Sequence, residues 1–276
     1  MIKKLYNKKS KDMLIENLEA ETFNRITCSF YNYIKINSPS DFRDKLYSLF
    51  YTLNIFGRIY VADEGINAQI SVPSHNWANF LKTISEISEL SNVQIKKAIS
   101  EGISFYKLVV KVKKEIVAYG IPKNKYNMKI IGKHLSTEQF NSAINKEQTT
   151  IIDMRNIYES EVGKFKNAEI PQVEKSKDLL PEVRKMLKGR EHHQVLLYCT
   201  GGIRCEKASS FLINEGIKDV KQLKGGIIQY AHDIKKNGMK SKFIGKNFVF
   251  DARLGERISD DIISNCHICN KSSDTH

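Results

Sequence analysis

The spacing of apolar and polar positions changes character about halfway along the chain. In the first half, β-rich runs and helical runs interleave. Residues 1–24 form a polar leader with one short helix over Asp12–Ala20. Ile26–Ile36 mixes β-branched and aromatic residues and reads as a strand. Ser38-Pro39-Ser40-Asp41 is a helix start, and Phe42, Leu46, Leu49, Phe50 and Leu53 then recur at helical spacing. Gly57 breaks that pattern. Arg58–Ala62 and Ile66–Val72 read as strands around an Asp63-Glu64-Gly65 turn, with Asn67 and Gln69 facing outward. Pro73-Ser74 opens a second helix with Trp77, Phe80, Leu81 and Ile84 on one face. Val93–Ile99 is a fourth strand, and residues 103–119 continue in β-rich sequence. The order β-α-β-β-α-β, with an added strand, predicts a ferredoxin-like split βαβ domain over residues 25–120.

The polar stretch 121–135, carrying Pro122 and four lysines, reads as a linker. From residue 136 short apolar strands alternate with helices, which predicts a parallel sheet covered on both faces. Its strands are Thr149–Ile152, Val195–Tyr198 and Val220–Leu223, with helices over Thr137–Ile144, over Pro181–Leu187, from Arg204 to Gly216, and from Gly225-Gly226 through Tyr230. This α/β domain is expected over 136–240, with an extension over 241–276 that holds a C-x-x-C. The fold class is thus a two-domain α+β and α/β protein.

Charge adds a partner to the picture. Residues 1–130 hold 20 Lys and Arg against 12 Asp and Glu, and the remainder 24 against 19, out of a net +13. A basic N-terminal half suits a polyanion such as nucleic acid, and equally a lysine-solvated surface. No stretch reaches the 18 apolar residues of a membrane span, and no signal-peptide pattern follows the basic start. Five cysteines form no secreted framework, so the expected setting is a reducing cytoplasm.

The densest chemistry lies at 194–205, Q-V-L-L-Y-C-T-G-G-I-R-C. An apolar strand stops at Cys199. Thr200, Gly201, Gly202 and Ile203 make a turn, and a helix starts beside Arg204 and Cys205. A strand end feeding a helix N-terminus is where α/β proteins hold ligands and nucleophiles, and its N–H groups and Arg204 favour a thiolate. Cys205 fits either a resolving thiol or a packing residue. Asp153 and Arg155 close a neighbouring strand on the same sheet edge, where they can support the loop, pair structurally, or do both. Cys266 and Cys269 with His267 or His276 do not supply four zinc ligands at proper spacing, so a disordered tail is expected and no metal is assigned.

The patterns D-M-R-N-x-Y-E, G-K-F-x-N-A, Y-C-T-G-G-I-R-C-E-K-A and L-x-G-G-I resemble a rhodanese domain. The run C-T-G-G-I-R-C-E-K-A, with E-G-I-N-A in the first half, resembles the two-domain tRNA uridine hydroxylase family over about Thr27 to Arg257. The resemblance implies oxygen-dependent conversion of anticodon uridine 34 to 5-hydroxyuridine, with molecular oxygen as co-substrate, tRNA as partner and a reductant of unknown identity. Cys199 matches the family's active-site cysteine, and Gly201, Gly202 and Arg204 its surrounding loop. Cys199 through Arg204 is six residues, the size found in sulfur-handling rhodaneses, whereas the related phosphatases use one more. The sequence has neither a facial triad nor a dinucleotide fingerprint, which leaves thiolate addition to C6 of uracil as the expected chemistry. Arg204 and loop N–H groups would stabilise the enolate. Arg58, Lys123, Lys125, Lys129 and Lys133 are candidate RNA contacts. A sulfurtransferase carrying a Cys199 persulfide is the competing expectation, and a non-catalytic binding protein the third.

Overall fold

A computed structural model describes residues 5–266 and 268–274 and divides into two compact units. The first runs through Ile116 and takes in Asp251–Arg253; the second comprises Val117–Phe250 and the chain from Leu254 onward.

In the first unit α1 (Lys11–Glu19) precedes β1 (Arg25–Tyr33), α2 (Pro39–Thr52), β2 (Phe56–Ala62), β3 (Gly65–Pro73), α3 (Trp77–Glu86), β4 (Lys96–Lys97) and β5 (Leu108–Val112). The sheet order β4-β1-β3-β2-β5 is the ferredoxin-like arrangement with β5 added in parallel beside β2. Alternation makes the sheet one-sided. Cys28 and Phe30 of β1 and Ala68, Ile70 and Val72 of β3 pack with Phe42, Leu46 and Phe50 of α2 and Phe80 and Ile84 of α3. The predicted fourth strand shrinks to two ladder residues, because Val93 and Ile95 pack against this core without pairing. Asp63-Glu64 forms the hairpin turn. Its carbonyls accept from Ile36 and Ile34, and the Glu64 carboxylate accepts from the Ile116 N–H at 2.8 Å. That acidic turn is therefore tied into the backbone.

The second unit holds β6 (Lys133–Leu135), α4 (Thr137–Ala143), β7 (Thr149–Asp153), α5 (Ile157–Glu161), β8 (Gly163–Phe165), α6 (Ser176–Met186), β9 (Gln194–Tyr198), α7 (Ile203–Asn214), β10 (Asp219–Leu223), α8 (Gly226–Asn237), β11 (Phe243–Phe248) and β12 (Gly255–Arg257). The parallel sheet runs β6-β10-β9-β7. Its two faces follow from the two-residue period of β9. Val195 and Leu197 pack with Leu179, Leu180 and Val183 of α6 and Ala208 and Leu212 of α7. Leu196 and Tyr198 pack with Phe140 of α4 and Ile227 and Tyr230 of α8. Helices cover both faces, as the alternation predicts.

Three elements differ from expectation. The stretch 121–135, read as a linker, ends in β6: Leu135 is buried, and Lys133 and His134 pair with Lys221 and Gln222. Gly132, Lys133 and His134 precede that apolar anchor, so no local period betrays it. The extension after 240 is folded, not a disordered tail. β11 pairs antiparallel with β8 and with β12, and Phe243 meets Phe165 at 5.3 Å between ring centres. Phe165 also touches Phe140, Tyr198 and Tyr230 edge-on or tilted, each contact worth about 0.5–1.5 kcal/mol beyond area burial. Finally, around Cys266 the chain makes a small hairpin, with the Cys266 N–H donating to Lys271 and the Ser273 N–H to Ser264.

Candidate active site

β9 delivers Cys199 to the carboxyl end of the sheet, directly beside the end of β7, since Asp153 pairs in register with Tyr198. The turn after it is held from behind. The Ile227 and Ile228 N–H groups at the start of α8 donate to the Cys199 and Thr200 carbonyls at 3.0 and 3.1 Å. With its carbonyls turned to α8, the loop aims N–H groups at the sulfur. The Gly202 N–H lies 3.2 Å from Sγ, and the N–H groups of Arg204 and Cys205 hydrogen-bond to it as well. The Cys205 thiol adds a fourth hydrogen bond. Gly202, the N-cap of α7, has φ +98°. That left-handed geometry lets the chain double back over the sulfur, and glycine adopts it without Cβ strain.

Cys199 itself is wholly buried. Burial alone pushes its thiol up. The Cys205 hydrogen bond, the Arg204 charge and the backbone donors outweigh burial and bring it down to about 6. Cys205 goes the other way. Burial and then the neighbouring Cys199 sulfur push it well above the ordinary thiol range, so it keeps its proton. Thr200, Gly201, Ile203 and Arg204 are half-buried and form the layer of this loop that reaches solvent.

Arg204 is fixed by a fork. Its Nη1 and Nη2 donate to the two carboxylate oxygens of fully buried Glu159 at 2.6 and 2.8 Å, and Nη2 also reaches Thr200 Oγ1 at 3.2 Å. Glu159 is held in turn by the Asn156 N–H at 3.0 Å. The Arg204 carbonyl accepts from the hydroxyl of buried Tyr119 at 3.1 Å. Asp153 and Arg155 do not touch the thiolate loop. Arg155 forks onto Asp153 at 2.8 and 2.6 Å and donates to the Gly163 carbonyl, while Ser160 Oγ donates to Asp153 at 2.8 Å. This buried pair anchors α5 and β8, and α5 carries Glu159; its support of the loop is indirect. Glu206 and Lys207 are scaffold. Glu206 binds His134 and Gln222, and buried Lys207 donates to the Val117 carbonyl at 3.4 Å.

Among the RNA candidates, Lys123, Lys125, Lys129 and Lys133 are all exposed on one segment of the second unit, and Lys125 lies 3.5 Å from Glu215. Arg58 is exposed on β2 of the first unit. Cys266 is drawn below the ordinary thiol range by the N–H groups of Cys269 and Ile268. His267 and His276 lie outside the described residues. Among the described residues no three His, Cys, Asp or Glu side chains gather as metal ligands, and no helix is long and apolar enough to cross a membrane. Sequence reasoning passed over Tyr119, which sits in an apolar run with nothing to mark it. Glu159 entered only as the last letter of the D-M-R-N-x-Y-E pattern, although the spacing Asn156-x-x-Glu159 of a helix start was available.

The cysteine turn between β9 and α7, on a four-stranded parallel sheet, places the second unit among rhodanese-like domains, and residues 136–233 match the family described as Rhodanese-like domain. Residues 25–116 match the UPF0176 acylphosphatase like domain, and 244–276 the family described as Rhodanase C-terminal. Proteins named tRNA uridine(34) hydroxylase align along nearly the whole chain. That of Leptospira interrogans is 46% identical over 99% of this chain and 74% of its own length. Those of Photorhabdus laumondii and Buchnera aphidicola are 44% and 45% identical, covering 78% and 84% of their lengths. The chain belongs to the tRNA uridine(34) hydroxylase family.

Proposed function

We infer that this protein is a tRNA-modifying enzyme that hydroxylates uridine 34 of the anticodon at C5 with molecular oxygen, giving 5-hydroxyuridine, with Cys199 as the working thiol. The observation that carries the reading is the Cys199 sulfur, buried and ringed by three N–H donors and a thiol that hold it as thiolate near neutral pH, in a chain similar throughout to proteins of that name. The thiolate attacks C6 of the uracil. The S–C6 bond forms as the C5=C6 π pair moves onto C5 and the C4 oxygen. N–H groups of the loop and the Arg204 guanidinium are the donors available to that enolate. The electron-rich C5 then takes up dioxygen and a proton as a C5 hydroperoxide, and a two-electron reductant breaks its O–O bond, leaving a hydroxyl on C5 and releasing the distal oxygen as water. Loss of the C5 proton and departure of Cys199 restore the aromatic base.

The anticodon loop is single-stranded, so its base can be splayed into a pocket, and exposed Lys123, Lys125, Lys129 and Lys133 suit contacts to its phosphates. A cytoplasmic setting fits both the substrate and five free thiols. The six-residue Cys-to-Arg turn equally suits a persulfide-carrying sulfurtransferase, and one experiment separates the two. Nucleosides are measured in tRNA from cells lacking the gene. 5-Hydroxyuridine and its derivatives at position 34 should disappear, return with the wild-type gene, and stay absent with Cys199→Ala. Unchanged 5-hydroxyuridine together with lost thiosulfate:cyanide activity would favour the sulfurtransferase.

A further inference from the structure

Hydroxylation by molecular oxygen puts one oxygen atom into the base and must reduce the other to water, which takes two electrons and two protons. The structure holds a source of the two electrons within the site. Cys199 and Cys205 are each wholly buried, belong to one apolar cluster, and share a direct sulfur-to-sulfur hydrogen bond. The bond is built by the fold. Cys199 is the residue after β9, Cys205 lies in the first turn of α7, and the chain between them is pinned by the Cys205 N–H to the Gly202 carbonyl at 3.0 Å and by Ile227 and Ile228 of α8. Ile152, Leu197, Ala208 and Leu212 belong to the same buried cluster as the pair. A buried cysteine that only packs needs no thiol partner; this one sits against the working sulfur.

We propose that Cys205 is a catalytic residue and that the Cys199–Cys205 pair is the two-electron donor of the reaction, ending each turnover as a disulfide. The proposal rests on the uridine hydroxylation reading above. The Cys199 adduct at C6 gives a C5 carbanion that combines with oxygen in one-electron steps and, with one proton, becomes a C5 hydroperoxide. The Cys205 sulfur attacks the distal oxygen. The O–O bond breaks, the S–O bond forms, and the thiol proton passes to the oxygen left on C5. Cys205 is now a sulfenic acid. The C5 proton and Cys199 leave, giving 5-hydroxyuridine. The freed Cys199 thiolate attacks the Cys205 sulfenic sulfur, and water departs as the disulfide forms. The sum is uridine plus oxygen plus two thiols to 5-hydroxyuridine plus disulfide plus water. An external dithiol then reduces the pair by exchange.

The test is a single turnover. Reduced full-length protein, freed of reductant, is mixed with excess unmodified tRNA and oxygenated buffer, and product and free thiols are counted. Trypsin cuts after Arg190, Arg204 and Lys207, so a Cys199–Cys205 disulfide joins peptides 191–204 and 205–207 in one species two hydrogens lighter than their sum. The expected result is about one 5-hydroxyuridine and two thiols lost per chain, the joined peptide pair, and repeated turnover once dithiothreitol is added. Cys205→Ser, without added reductant, should lose at least 10-fold in product. Stoichiometric product with both thiols intact, or a disulfide only between Cys266 and Cys269, overturns the proposal and leaves the hydroxylase reading standing. No product even with excess dithiothreitol overturns the reading and the proposal together.

Discussion

Gly226 is the point at which the thiolate loop depends most on an absent side chain. It has φ +68°, and a Cβ built there would lie 2.5 Å from the Cys199 carbonyl oxygen, 2.7 Å from that of Thr200 and 2.8 Å from the Gly202 nitrogen. All three contacts are backbone, so none can swing aside. Gly226→Ala therefore carries two costs. The left-handed backbone costs an alanine about 1–2 kcal/mol. Forcing atoms into a filled space costs about 1–3 kcal/mol more. Gly238→Ala isolates the first cost, because Gly238, the C-cap of the same helix, has φ +59° and nothing within 4 Å of its Cβ position. At about 2–4 °C per kcal/mol for a unit of this size, Gly238→Ala should lower Tm by roughly 2–8 °C and Gly226→Ala by clearly more. The clash also pushes the Cys199 and Thr200 carbonyls away from α8 and turns the loop donors off the sulfur. The Cys199 thiol should then rise from about 6 towards its ordinary range, read as the pH midpoint of alkylation by iodoacetamide. Equal melting temperatures for the two variants, with the Cys199 midpoint unmoved, would refute the claim that α8 shapes the loop.

Other consequences can be checked on the same footing. The thiolate is the reactive form and its pKa is depressed, so Cys199 alkylation should plateau above about pH 7 and fall tenfold per unit below about 6; at pH 7 about 90% is thiolate, against about 1% for a thiol at 9. Cys205→Ala removes a bond that stabilises that thiolate, and the alkylation midpoint should move up. Glu159→Gln leaves the Arg204 guanidinium half-paired in a buried site and should cost about 3–5 kcal/mol by urea denaturation, while the double change to Glu159→Met and Arg204→Met should cost less than either alone. Phe243→Ala should destabilise the second unit by about 3–5 kcal/mol, since it opens a cavity at the centre of the Phe165 cluster. Affinity for tRNA should fall steeply with salt, and alanine at Lys123, Lys129 or Lys133 should each flatten that slope by about one unit.

How legible this was in the sequence depended on whether a signal was local. The run Val195–Tyr198 followed by Cys199 and two glycines states its own geometry: an apolar strand, a stop, and a turn that must pass through left-handed backbone at Gly202. The ferredoxin-like order was legible because each of its strands and helices carries its own period. What failed to show was pairwise and distant. β11 is a strand only because β8, some eighty residues earlier, offers it an edge. Tyr119 matters only because α7 brings the Arg204 carbonyl to it. Asp153 and Arg155 were visible as a pair at the right sheet edge, but spacing could not say that their fork closes on itself and on Gly163 rather than reaching the sulfur.

The β8–β11 ladder bears on how such a chain can be cut and recombined. Residues 136–233 look like a self-contained cassette, yet Gly163 meets the Lys246 backbone so closely that a Cβ there would lie 2.1 Å from its carbonyl oxygen. The same Gly163 carbonyl takes the Arg155 guanidinium that braces α5, and α5 holds Glu159 against Arg204. A graft ending after α8 would lift out the sequence of a rhodanese-like domain and leave behind the strand that keeps its arginine in place.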